Sequence, residues 1–155
     1  MNTNMKQLRD PEEIRQHIRD IYKENRFMSD YFHIHIDEIH CGSVTVSLKT
    51  DPMKHNNHRG RLHGGVLAAL ADSVTGVTSA SVGASVVTVA MTMNFIRTAK
   101  PGETIRVTSH ITHNGHSTIV ITADMFDEES HLMSNILATM MVVDRFTEIP
   151  RRWNG

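Results

Sequence analysis

Apolar positions along the chain follow two alternating periods. Residues 11–25 carry Ile14, Ile18 and Ile21 at helical spacing. Asp10 stands where a cap is needed, Pro11 suits the first turn, and Glu12 and Glu13 favour the positive end of the helix dipole. From Phe32 the period drops to two: Phe32, Ile34 and Ile36, with Ile39 beyond, alternate with His33, His35 and Asp37. After Cys41-Gly42, Val44, Val46 and Leu48 alternate with Ser43, Thr45 and Ser47, which predicts a hairpin. Residues 51–61 read as a polar loop rich in His and Asn. A helical stretch over 62–77 follows, ended by Gly83. Val87, Val89, Met91, Met93 and Phe95 then alternate with Thr88, Ala90, Thr92 and Asn94, the longest clean strand pattern in the chain. Lys100-Pro101-Gly102-Glu103 marks a turn, Ile105, Val107, Ser109 and Ile111 a further strand, and His113-Asn114-Gly115-His116 a hairpin turn. A strand over about 117–126 and one over about 132–143 complete the pattern. The last is apolar on both faces, as an interior strand is. Residues 146–155 are a polar tail expected to be loose.

This order of elements predicts one α+β domain with its core over about 30–145. An antiparallel sheet of about six strands curls round a single long central helix, and an N-terminal helix precedes it.

The central helix has two unlike faces. Val66, Leu67, Leu70, Val74 and Val77 form an apolar face. Opposite lie Gly65, Ala68, Ala69, Asp72, Thr75, Gly76 and Ser79, all small except Asp72 at the centre. A solvated face normally carries Lys, Glu, Arg or Gln, and this one carries none, so something packs closely there. A carboxylate pointing into that contact calls for a raised pKa, hydrogen bonds or chemistry. The plainer reading is a helix buried on both sides, with Asp72 bonded to a neighbouring hydroxyl or amide.

Composition narrows the setting. At 155 residues the chain suits one sizeable core. A net charge of −1 gives no general electrostatic case for nucleic acid. Cys41 is the only cysteine, so no internal disulfide is possible, as in a reducing compartment. The opening, Met1 to Asp10, is polar and holds no apolar run of a signal peptide; no stretch reaches a membrane span. These features predict a cytoplasmic protein with no membrane partner. Eleven histidines raise the question of a metal. His55, His58 and His63 lie in a loop without Cys partners, HExxH or a carboxylate at ligand spacing, so no metal is expected.

Two runs carry a resemblance. Asn57, Gly60, Leu62-His63-Gly64-Gly65-Val66 and Leu70-Ala71-Asp72 are followed by Val87-Thr88-Val89, Met91, Asn94-Phe95, Arg97, Ala99 and Gly102-Glu103. Over roughly residues 40–145 this resembles the hotdog-fold acyl-CoA thioesterases, the phenylacetate-pathway type most of all. The resemblance implies a homodimer, a tetramer as a dimer of dimers, and hydrolysis of an acyl-CoA thioester, with CoA part of the substrate and no further cofactor. It places the acidic residue on Asp72, the oxyanion-binding glycine on Gly64, the neighbouring histidine on His63, the loop asparagine on Asn57 and a strand hydroxyl on Thr88. The chain departs from the family at Ala90 and Thr98, where relatives often have Asp and Pro, and many relatives have Glu at position 72.

Those residue types suit the reaction. The thioester carbonyl needs donors as charge develops, and free N–H groups of Gly64 and Gly65 at a helix N-terminus are candidates. Asp72 serves as nucleophile or general base, and activity that needs it ionised falls on the acid side. Gly64 and Asp72 are eight residues apart on one helix, about 12 Å. They cannot serve one thioester, so each site is expected to pair Gly64 of one subunit with Asp72 of another across a two-fold axis. Asn57 orients water or Asp72, or simply makes a turn. His63 holds the loop or bonds the thioester, or is an N-cap contact. Thr88 bonds Asp72 or water, or is a plain strand threonine. Arg97 and Lys100 are candidates for the CoA phosphates, with Arg59, Arg61 and Arg106 near in sequence; each also reads as a solvated charge. Two other functions fit the same features. One is a hotdog hydratase or dehydratase acting on acyl thioesters, which wants a differently placed His–acid pair. The other is a binding module that holds acyl-CoA without turnover, which has little reason to bury Asp72.

Overall fold

The computed structural model describes residues 7–155, so the first six positions of the polar opening lie outside it. Its elements are α1 (Pro11–Lys23), a π-helical turn (Phe27–Phe32), β1 (His35–His40), β2 (Ser43–Lys49), α2 (Pro52–His55), α3 (Gly64–Ala80), β3 (Ala84–Phe95), β4 (Thr104–Asn114), β5 (Thr118–Phe126) and β6 (Leu132–Arg145). Six strands form one sheet in the order β1-β2-β4-β5-β6-β3, every pair antiparallel. Helix α3 packs against one face of it, touching β2, β3, β4, β5 and β6. This is the hotdog architecture.

Helix α3 is held by its apolar face. Val66, Leu67, Leu70, Val74 and Val77 are buried against Val44, Val46, Leu48, Ile105 and Val107 of the sheet. Each contributes about 1.5–3 kcal/mol on burial. The small-residue face divides in two. Toward the helix C-terminus α1 covers it: Thr75 and Ser79 are fully buried, and a Cβ on Gly76 would stand 3.2 Å from the Tyr22 hydroxyl oxygen. Burial among apolar neighbours pushes the Tyr22 phenol well above its usual range. Toward the N-terminus, Gly65 and Asp72 are exposed and Ala68 and Ala69 half-buried.

Three parts of the chain depart from the pattern reading. Phe32 belongs to the π-helical turn, not to a strand; His33 then takes a left-handed conformation (φ 53°) and β1 starts at His35. A bulge between Ile36 and Glu38 explains why Ile36 and Ile39, three apart, both serve the core. Residues 51–61 contain a helical turn, α2, capped by the Asp51 carboxylate on the Met53 N–H at 2.9 Å.

The tail is packed rather than loose. Phe146 N–H donates to Gly83 O at 3.0 Å, Leu8 N–H to Glu148 O at 2.9 Å, and Trp153 Nε1 to Ser81 O at 2.7 Å. Ile149 is buried and the Arg15 guanidinium lies 5.5 Å from the Trp153 ring centre. The reason lies at the end of α3, where backbone carbonyls and apolar side chains need cover. Gly83 makes this fit possible: its φ is +72°, and a Cβ there would collide with the Ile149 carbonyl oxygen. Gly83→Ala is therefore expected to cost about 3 kcal/mol and to lower Tm by roughly 10 °C. Thermal unfolding followed by circular dichroism checks this, and an unchanged Tm would mean the tail does not dock on the turn.

Candidate active site

The N-terminus of α3 is built from the loop before it. Asn57 Oδ1 accepts from the backbone N–H groups of Arg59 at 2.9 Å and Arg61 at 3.2 Å, and Asn57 N–H donates to Arg61 O at 2.7 Å. Asn57 is thus a turn-maker whose Nδ2 has no partner among the described residues. The loop is anchored below by His63 N–H, which donates to His55 O at 2.9 Å. His55 is buried, stacked on Phe32 with ring centres 5.5 Å apart, and its Nδ1 accepts from Asp51 N–H at 2.9 Å. Burial pulls the His55 imidazole below its usual pKa, the Asp51 charge opposing only in part.

His63 caps α3. Its backbone is extended (φ −71°, ψ 131°), and its Nδ1 accepts the Gly65 N–H at 2.9 Å. A neutral ring accepting at Nδ1 carries its proton on Nε2. The Val66 N–H donates to His63 O at 3.0 Å. These two bonds correct one expectation: Gly65 has no free N–H to offer a substrate, because the preceding side chain takes it. Of the first three N–H groups in the helix, only that of Gly64 lacks a partner among the described residues. The Phe95 ring packs beside the Gly64 Cα, where an added Cβ would stand 3.3 Å from Phe95 Cε1.

Asp72 lies two turns further on. Thr88 Oγ1 donates to Asp72 Oδ1 at 2.6 Å, joining α3 to β3. Simple alternation would put Thr88 on the opposite face of β3 from Met91, Met93 and Phe95. The register against β6 shows how it joins them: Thr88 pairs with Met140 and Ala90 with Thr139, so Val89 is an extra residue. The bulge reverses the parity, and Thr88 faces the helix together with Phe95.

The basic candidates separate. Arg97 lines a cleft of about 300 Å³ with Leu62, Gly64, Leu67 and Phe95, beside the open N–H of Gly64. Lys100 does not line it; its Nζ pairs with Glu129 Oε1 at 2.8 Å, which raises the lysine pKa and lowers that of the carboxyl. Arg106 lies elsewhere, in a groove with Asp37, Glu38, Asp127 and Glu128. Among the described residues no three His, Cys, Asp or Glu side chains gather as a metal site, and no helix is long and apolar enough to cross a membrane.

Comparison with known proteins bears on this constellation. The thioesterase superfamily model matches residues 59–134, which span His63, Gly64, Asp72, Thr88 and Arg97. Over that stretch the chain is similar to the thioesterase superfamily. It is a thioester hydrolase of the hotdog fold. A hypothetical thioesterase of Streptococcus pneumoniae, solved with coenzyme A, is 25% identical with TM-score 0.74, over 80% of this chain and 98% of that one. The same bacterium's protein is also known as an aspartate-to-alanine and as a threonine-to-alanine variant. The PaaI protein of the E. coli phenylacetic acid degradation operon is 21% identical with TM-score 0.80, over 86% of this chain and 96% of that one. Thioesterase superfamily member 2 of Mus musculus is 22% identical with TM-score 0.70, over 84% and 95%. No curated protein matches the chain in sequence.

Sequence reasoning missed three contributors to this region: the bulge at Val89, the Phe95 ring beside Gly64, and the π-helical turn that meets His55. For the last a signal existed. Phe27, Tyr31 and Phe32 are spaced to cluster on one turn, and their rings lie 4.9–6.1 Å apart.

Proposed function

We propose that the protein hydrolyses acyl-CoA thioesters at a site shared by two subunits. Asp72 of one subunit acts, as nucleophile or general base, on a thioester whose carbonyl oxygen is held by the Gly64 N–H of the other. The observation that carries this reading is the lone open N–H at Gly64, on the same helix as a hydrogen-bonded Asp72 eight residues on. At 1.5 Å per residue they stand about 12 Å apart, too far to serve one carbonyl. Two copies of α3 running antiparallel, with their open small-residue halves in contact, bring each Gly64 to the other's Asp72. The edge strand supports this pairing. β3 is 12 residues long and has β6 on one side only, with Val87 and Val89 46% and 60% exposed. A long apolar edge invites a second β3, which would extend the sheet and set the helices side by side.

The chemistry balances as hydrolysis. An oxygen attacks the acyl carbon, the C–S bond breaks, and the CoA thiolate leaves and takes up a proton. A negative oxygen forms on the way, where a helix N-terminal N–H stabilises it. Thr88 occupies Oδ1 of Asp72 as donor and leaves Oδ2 to act. In the Streptococcus pneumoniae protein the two positions replaced by alanine are 16 apart, the separation of Asp72 and Thr88. That protein's coenzyme A supports CoA as carrier, with Arg97 beside Gly64 placed to meet an anionic part of it. Two such dimers stacked as a tetramer is the further assembly we propose.

The test is release of free thiol from a panel of acyl-CoAs, with mass by sedimentation. Turnover by a dimer or larger assembly is expected; no release from any thioester rejects the activity, and a stable active monomer rejects the shared site. Thr88→Ala should lower kcat about tenfold through the lost hydrogen bond, and Thr88→Ser should restore it. Equal rates for the two variants would leave Thr88 no part in aligning Asp72.

A further inference from the structure

One titratable ring beneath the α3 N-terminus has no part in the chemistry above. His55, the last residue of α2, is 7% exposed, and three of its polar groups are engaged. Its N–H donates to Asp51 O at 2.8 Å, its carbonyl accepts the His63 N–H at 2.9 Å, and its Nδ1 accepts the Asp51 N–H at 2.9 Å. The ring stacks on Phe32, 29° from parallel. The path into α3 is set from this point. Asn56, the next residue, bridges to Leu62. His63 hangs on the His55 carbonyl and in turn accepts the N–H groups of Gly65 and Val66. Gly64 lies between these anchors, so the direction of its N–H follows from where His55 sits.

We propose that His55 is a positioning residue for the hydrolysis: its neutral ring holds the backbone that aims the Gly64 N–H, and a proton on that ring releases it. This rests on the thioesterase reading above and adds what keeps the donor in place. A ring nitrogen that accepts a hydrogen bond carries no proton, so Nδ1 is bare and Nε2 holds the hydrogen. A proton taken from solvent goes to Nδ1 and faces the Asp51 N–H. Two donors then point at each other and the hydrogen bond between them is gone. Either the ring turns off Phe32 or the Asp51 amide withdraws, and both movements shift the carbonyl that carries His63. The surrounding groups decide when this happens. Burial disfavours the charged ring and lowers its pKa from the ordinary histidine value; the Asp51 carboxylate opposes this and the Lys54 ammonium adds to it. Asp30 and Tyr31 of the π-helical turn border the same cleft as the ring, and Val66 of α3 brings no charge to it. The ring is therefore neutral at neutral pH and charges on the acid side of the usual histidine range. The acid limb of the rate then has two contributors, His55 and Asp72, and a substitution at 55 removes only the first.

Hydrogen exchange at the His63 amide reads this without any turnover. In wild type its protection, corrected for the intrinsic exchange rate, should fall about tenfold as the pH is lowered from about 8 to about 5. In His55→Asn it should hold, because the carboxamide oxygen takes the Asp51 N–H in place of Nδ1 and does not titrate. Rates of thiol release from acyl-CoA complete the test. His55→Asn should keep kcat at neutral pH within about twofold of wild type and begin its acid fall at lower pH. His55→Phe keeps the stack without the acceptor, and its kcat at neutral pH should drop about tenfold with KM unchanged. A ring that served stability alone would lower Tm in both variants and leave the shape of the pH profile as it is. Protection of His63 that does not change with pH in wild type overturns the inference, even where the variants fail to fold. So does a His55→Asn profile that overlays wild type, or an undiminished kcat in His55→Phe. No thiol release from any thioester by wild type rejects the hydrolase reading instead, and the exchange measurement still decides the part of His55.

Discussion

Asp72→Ala is expected to abolish turnover of every acyl-CoA, a fall of about 10³ in kcat, while CoA still binds and the protein melts within about 2 °C of wild type. Each part has a separate cause. The rate falls because Asp72 is the only carboxylate on the open half of the α3 face, and no neighbouring acid can replace it. Binding is expected to persist because the proposed role of Asp72 is at the acyl carbon, whereas the proposed contact with CoA itself is Arg97, which lines the cleft beside Gly64. Stability persists because Asp72 is exposed and engages one partner, Thr88 Oγ1 at 2.6 Å, whose hydroxyl then turns to water. Asp72→Asn sharpens the test. It keeps the acceptor for Thr88 and the shape of the side chain but can neither take a proton nor attack. It should be as inactive as the alanine variant, and retained turnover would remove Asp72 from the chemistry. A single turnover in isotopically heavy oxygen water then tells the two routes apart. A nucleophilic Asp72 forms a mixed anhydride, and water opening it at the side-chain carbonyl leaves the label in the aspartate. A general base sends the label only into the acid product.

What the sequence discloses about this site follows from how local each cause is. The strand alternations of β2, β4 and β5 are carried by neighbouring residues, and the sheet follows them. The two faces of α3 are likewise local, and the polarity anomaly around Asp72 is visible in the helix alone. Thr88 is different. Its alternation assigns it to the face away from the helix, and only the extra residue at Val89, fixed by pairing with a strand some fifty residues later, turns it to Asp72. The glycine pair shows a subtler limit. Both glycines open a helix and look alike in sequence, but the His63 ring folds back and takes the Gly65 N–H, so one donor remains. The tail misleads for a third reason. Residues 146–155 are polar on average, yet Ile149 and Trp153 find cover on the end of α3, a surface that does not exist until the sheet has wrapped the helix. Periodicity therefore discloses elements and faces, while bulges, caps and end-packing depend on distant partners.

Gly64→Pro should remove the proposed oxyanion donor without breaking the helix, and it supports the strongest test of the proposed shared site. Position 64 is the first residue of α3, where proline is well tolerated because its φ suits the first turn. The residue before a proline must be extended, and His63 already is, at φ −71° and ψ 131°. The missing N–H is the one with no partner among the described residues, so no hydrogen bond seen there is lost. The new Cβ comes 3.3 Å from the Phe95 ring, which is 58% exposed and free to shift. The variant is thus expected to fold and assemble, with kcat down about 10²–10³ for loss of one preorganised donor. Gly64→Ala is its control: it keeps the N–H, crowds Phe95 equally, and should lose far less. Mixing then decides the architecture. Subunits carrying Gly64→Pro and subunits carrying Asp72→Ala are each inactive as homodimers. A mixed dimer has one site with both lesions and one site with neither, so unfolding and refolding the two together should restore about a quarter of wild-type activity when half the dimers are mixed. If Gly64 and Asp72 acted within one chain, every site in the mixture would carry a lesion and no activity would return. The two arrangements therefore predict opposite results from the same tube of protein, whatever the acyl group.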